Sequence, residues 1–188
     1  MPKQAPEAMH WRRLDVPGTD RCALTRSSNG WRLAGRAAFE DVRGEARLDY
    51  AVAVDGRWQT LTGSVHGVVG RRPVALEVER GEDARWVVNG THLPDLDGLV
   101  DLDLGFTPAT NLFPLRRLAL RVGEAADAAA AWLDDEQWML RRLPQRYERR
   151  APDAWWYESP LGGYEGLLRV NAAGFVTEYP GLWEAVPE

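Results

Sequence analysis

Between Met9 and Gly90 the chain is a succession of short alternating runs cut by turn residues, a pattern that admits little besides an antiparallel sheet. Met9 to Leu14 and Cys22 to Arg26 flank Pro17-Gly18-Thr19-Asp20, which predicts an opening hairpin. Ser27-Ser28-Asn29-Gly30 supplies a second turn, and Trp31 to Arg36 follows with its large apolar side chains on alternate positions. Arg47 to Asp55 and Arg57 to Val69 enclose Asp55-Gly56, a dipeptide suited to a tight hairpin because both residues accept positive φ. Pro73 to Arg80 sets Val74, Leu76 and Val78 on one face, and Arg85 to Val88 lies between the turns Gly81-Glu82-Asp83 and Asn89-Gly90. No helical period interrupts this half.

The second half is mixed. Glu124 to Leu133 carries an alanine run with Ala125, Ala128, Ala129 and Trp132 at helical spacing, and Glu124 and Asp127 stand near the positive end of a helix dipole. This predicts the one helix of the chain. A strand from Trp138 to Arg149 is expected after it, then a turn at Pro152-Asp153-Ala154. Trp155 to Ser159, Tyr164 to Val170, Phe175 to Tyr179 and Leu182 to Ala185 read as closing strands.

A chain of 188 residues can form one large domain and bury roughly 70% of its unfolded surface without staples. The reading is therefore a single domain over residues 1–188, with 1–8 as a flexible tail. One cysteine, Cys22, excludes an internal disulfide and a cysteine-rich zinc site. A formal charge of -5 argues against nucleic acid, which needs a concentrated basic surface. No stretch approaches the ~20 apolar residues of a membrane helix, and Met1 to His10 lacks the apolar run of a signal peptide. A cytoplasmic location without integral membrane association is expected.

The densest chemistry lies in Asp101 to Leu118. Asp101 and Asp103 share one face of a strand and Val100, Leu102 and Leu104 the other. Gly105, Thr107-Pro108, Asn111 and Pro114 then turn the chain back. On an extended return, Arg116 and Arg117 point to opposite faces, so one of them faces the core. Two readings compete for these carboxylates. One pairs them with Arg116 or Arg117 as a buried pin that sets the register of the turn. The other presents Asp101, Asp103, Asn111 and Arg116 to a sugar or other polar head.

This run resembles the central signature of the bacterial putative glycolipid-binding proteins: Asp-x-Asp, then Thr-Pro-x-Thr-Asn, then Pro-x-Arg-Arg-Leu. Asp101, Asp103, Thr107, Pro108, Thr110, Asn111, Pro114, Arg116, Arg117 and Leu118 match it position by position. Trp11, Tyr50 to Trp58, Gln145 to Tyr147 and Gly174 to Pro180 extend the likeness over nearly the whole chain. The resemblance implies a mainly β fold, a curved antiparallel sheet or spiral β-roll wrapped around one α-helix. It also implies an amphipathic, glycolipid-like ligand.

The aromatic region adds to the candidate site. Trp155-Trp156-Tyr157, with Tyr147 and Tyr164 close in sequence, sets rings on both faces of a strand, one for the core and one for a ligand. The candidate ligand-binding set is thus Asp101, Asp103, Thr107, Asn111, Arg116, Arg117, Tyr147, Trp156 and Tyr164, with an apolar cavity for a tail. No catalytic residue, metal or cofactor is assigned. His10, His66 and His92 lack zinc-site spacing, Asp95, Asp97, Asp101 and Asp103 lack the spacing of a calcium loop, and no Gly-x-Ser-x-Gly or phosphate loop occurs. Two alternatives stay open. A hydrolase could use Asp101 and Asp103, which an Asp-x-Asp strand holds about 7 Å apart, as acid and base on a glycoside or lipid headgroup. A structural or protein-interaction domain would use the aromatic face to dock a partner.

Overall fold

The computed structural model describes residues 7–187. The first half is the meander read from the sequence: β1 (Glu7–Arg13), β2 (Gly18–Ser27), β3 (Gly30–Asp41), β4 (Gly44–Asp55), β5 (Thr60–Val69), β6 (Arg72–Arg80), β7 (Trp86–Val88) and β8 (Thr91–His92). The tail expected over residues 1–8 lies outside the described residues up to 6, while Glu7 and Ala8 belong to β1. The chain then forms β9 (Asp101–Leu104), α1 (Leu112–Leu118), β10 (Ala125–Asp127), β11 (Ala130–Asp134), β12 (Met139–Leu143), β13 (Arg146–Ala151), β14 (Ala154–Ser159), β15 (Tyr164–Val170), β16 (Val176–Tyr179) and β17 (Trp183–Ala185).

Fourteen strands make one long curved antiparallel sheet in the order β10-β13-β14-β15-β16-β17-β1-β2-β3-β4-β5-β6-β7-β8. The two halves of the chain meet where β1 pairs with β17, Trp11 opposite Ala185. A second sheet, β12-β11-β9, has β9 parallel to β11. It packs on the long sheet through Leu102, Leu104 and Phe106, all buried. Gly63 of β5 makes room for this contact: a Cβ there would stand 2.3 Å from Leu102 Cδ2. The result is the expected β-roll, an open curved sheet around inner elements that include one short helix.

The helix, however, is not where the alanine spacing predicts it. Glu124 to Leu133 is extended: Ala125–Asp127 pairs with β13, and Ala130–Asp134 lies between β9 and β12. Ala128, Ala130 and Ala131 are buried, so these alanines serve as small side chains between closely packed layers, and tertiary packing overrides their helix propensity. The return segment, read as a strand, supplies α1 instead. Pro114 sits in its first turn, where a missing N–H costs nothing. Seven residues are too few for a helix to stand on propensity alone. Burial of Leu112, Phe113 and Leu115 holds it, and Ala119 ends it in the left-handed conformation at φ 47°. The strand expected from Trp138 to Arg149 is two, β12 and β13, joined around Pro144.

Candidate functional site

The motif and the aromatic hairpin meet at one end of the inner sheet, and the site is built from both. In β9, Asp101 and Asp103 share a face, as the alternation requires, but their surroundings differ. Asp101 is 1% exposed and takes a two-pronged contact from Arg117 of α1, Nε donating to Oδ1 at 3.0 Å. Burial raises the Asp101 carboxyl pKa, and the guanidinium works against that rise. This is the buried pin: it ties α1 to β9 across the reversal.

Asp103 is partly buried, and its partners are neutral. Gln145 Nε2 donates to Oδ2 at 2.6 Å and Thr110 Oγ1 donates to Oδ1 at 3.2 Å. Desolvation pushes its carboxyl up to about 6. Gln145 also donates to the Tyr157 hydroxyl at 3.0 Å, and Asn111 Nδ2 donates to the Tyr147 hydroxyl at 3.1 Å. Tyr147 and Tyr157 are directly opposed across the β13–β14 hairpin, their rings 4.9 Å apart. Tyr157, Tyr164 and Tyr179 are in mutual contact, with ring centroids 5.0 to 6.0 Å apart.

These groups surround a cleft of about 120 Å³, lined among others by Asp103, Thr107, Asn111, Trp132, Tyr157, Ser159, Tyr164, Tyr179 and Trp183. That is below the ~300–1,000 Å³ of pockets that engulf a drug-sized ligand, and it is too small for an acyl tail. It adjoins a wider, open recess of about 750 Å³, with which it shares Gly105, Gly162, Leu182 and Trp183. Gly105 is required at the junction, because a Cβ would stand 2.7 Å from both the Leu133 carbonyl and Trp132 Nε1.

Thr107 is positioned by a separate buried network. Its hydroxyl donates to Asp20, accepts from the Ala109 amide at 3.1 Å, and lies 3.3 Å from the Tyr50 hydroxyl, which donates to both Asp20 oxygens. Asp20 is fully buried without a cation, and desolvation pushes its carboxyl up to about 7. Gly35 lets the Tyr50 ring cross β3 to reach it, since a Cβ there would stand 2.4 Å from the ring.

Of the nine residues singled out by sequence, Asp103, Thr107, Asn111 and Tyr164 line the cleft, and Tyr147 is fully buried behind it. Asp101 and Arg117 form the pin. Arg116 faces elsewhere: its Nε donates to the Ala173 carbonyl at 2.8 Å, its Nη2 pairs with Glu7 at 2.8 Å, and it stacks over Trp58 at 4.6 Å. Trp156 lies on the opposite face of β14 from Tyr157, bonded to Glu158 and covered by Arg150. Arg116 and Trp156 therefore lie outside the cleft, because the helix directs Arg116 towards Ala173 and Glu7 and β14 alternation sets Trp156 on the face opposite Tyr157. Sequence reasoning missed Tyr157, Tyr179 and Gln145. The hairpin turn at Pro152 by itself would set residue 157 opposite 148, and the irregularity between Arg149 and Ala151 shifts Tyr157 onto Tyr147.

The comparisons agree with this architecture. The family model described as "Putative glycolipid-binding" matches residues 8–185. The crystal structure of a DUF1089 family protein from Pseudomonas aeruginosa superposes with a TM-score of 0.79 at 27% identity, over 89% of this chain and 92% of that one. No curated protein matches the chain in sequence. With residues 8–185 matched, the chain belongs to the glycolipid-binding-type family that this model describes.

Proposed function

We propose that the cleft at Asp103 binds, without catalysis, the polar head of an amphipathic small molecule of glycolipid type. The observation that carries this reading is the convergence of Asp103, Asn111, Thr107 and Tyr164 with an aromatic wall at one small cleft. Apolar walls with a few placed polar groups are the usual make-up of a ligand site. The family description supports the same ligand class. The tail then leaves the cleft past Leu182 and Trp183 towards Val16, Phe39 and the fully exposed Val42, the apolar part of a recess whose remaining lining is largely charged. A hydrolase would need a second carboxylate at the cleft, and Asp101 is committed to Arg117 away from solvent.

Titration of octyl glucoside by calorimetry tests the reading, with circular dichroism as the check on folding. Asp103→Ala is expected to weaken binding by roughly tenfold or more, the scale of a lost hydrogen bond to a charged group. Trp156→Ala, on the outer face, is expected to leave binding unchanged. Equal affinities for wild type and Asp103→Ala refute the site.

A further inference from the structure

We infer that the head recognised at Asp103 carries a positive charge, an ammonium group held by the carboxylate and the surrounding aromatic rings. The inference rests on the head-binding reading above and narrows its ligand class. Asp103 is the single charged residue among the described residues lining the cleft. Its hydrogen bonds come from an amide and a hydroxyl, which leave each carboxylate oxygen a free acceptor position and leave the charge unneutralised.

The arginines around the cleft are committed to other acids: Arg117 to Asp101, Arg141 to Asp134, and Arg13 to Asp15. A carboxylate in such a place lacks a counter-charge, and a low-dielectric wall strengthens its attraction for one. Much of the remaining wall is aromatic. Arg141 and Arg13 already lie over Trp132 and Trp183, which leaves Tyr157, Tyr164 and Tyr179 as the rings for a ligand, and ring faces attract cations, ammonium groups above all when desolvated. The volume, about 120 Å³, suits a group of a few heavy atoms.

The approach has the same sign. The adjoining recess is lined by Asp15, Glu40, Asp41, Asp135 and Glu136 against Arg13 and Arg43. Both arginines are paired within it, Arg13 with Asp15 at 2.9 Å and Arg43 with Asp41 at 2.6 Å. Glu40, Asp135 and Glu136 make no ion pair among the described residues, so the recess presents surplus negative charge along the entry path. Such a field concentrates cations and disfavours phosphate or carboxylate heads.

The test is calorimetric titration of the full chain with choline chloride against its neutral isostere 3,3-dimethylbutan-1-ol, with octyl glucoside run alongside. Choline is expected to bind roughly tenfold or more tightly than the isostere, and Asp103→Asn is expected to remove that preference. Tyr164→Ala, at the partly exposed edge of the wall, is expected to weaken choline in the same way and serves if the Asn variant does not fold. Equal binding of choline and isostere overturns the inference, as does a preference that survives both variants. Binding of octyl glucoside with no binding of choline overturns the charge assignment and leaves the head-binding reading standing. Absence of binding by all three probes overturns both.

Discussion

Asp20 should make the protein less stable as pH rises, opposite to the usual behaviour of a carboxylate held by cations. Its folded carboxyl titrates near 7 against an ordinary 3.8, because burial disfavours the anion more than the Thr107 and Tyr50 hydroxyls support it. Between those values the folded chain retains a proton that the unfolded chain has released. Stability therefore falls as pH climbs from about 4 towards 7 and levels off above that. A difference of about three units at 1.36 kcal/mol each puts the full effect on the order of 4 kcal/mol.

Asp20→Asn removes the titration while keeping the shape and one acceptor for Tyr50 and Thr107. Urea unfolding at a series of pH values from 4.5 to 8 reads the outcome. At pH 4.5 the wild type is expected to match or exceed the variant, whose amide protons need new acceptors. Between pH 4.5 and pH 8 the variant should gain about 3 kcal/mol relative to wild type, the first ~1 kcal/mol of the effect lying below the series. Subtracting the two curves removes the contributions of Asp101, Asp103 and Asp135, whose carboxyls are also raised by burial. A difference that stays flat across the range, or one that turns towards the wild type at high pH, refutes the reasoning.

Arg117→Ala strands the Asp101 carboxylate in the interior and should cost about 3–5 kcal/mol, read from the unfolding midpoint; a loss under about 1 kcal/mol would show that the pair pins nothing. Arg116→Ala removes bonds to Ala173 and Glu7 and should cost about 1–3 kcal/mol, leaving octyl glucoside affinity unchanged. A variant that folds as well as wild type and loses the ligand would return Arg116 to the site. Gly35→Ala forces the Tyr50 ring off β3 and should cost about 1–3 kcal/mol by overpacking, with the pH dependence assigned to Asp20 altered in the same variant.

The sequence by itself determined the meander, because period-two alternation between Gly, Asn and Asp turns is a local signal that packing has no reason to overrule. Asn89-Gly90 is an example, both residues at positive φ between β7 and β8, whereas the turn after Asp55 is longer than its Asp-Gly pair suggests and puts its positive φ on Trp58. It also determined that Asp101 and Asp103 share a face, and it grouped Asp103, Thr107 and Asn111, which line one cleft. Only the tertiary structure decided which acid is free. Arg116 and Arg117 differ by one position, yet a helical turn sends one to Asp101 and the other to the roll's end, and local pattern cannot tell that turn from a strand. Ala128 and the alanines of β11 were illegible for the same reason, since small side chains favour a helix in isolation and close packing in company. The cleft itself joins β9 to β14, β15 and β16, elements far apart in the chain, and burial there is what sets the charge state of its carboxylate.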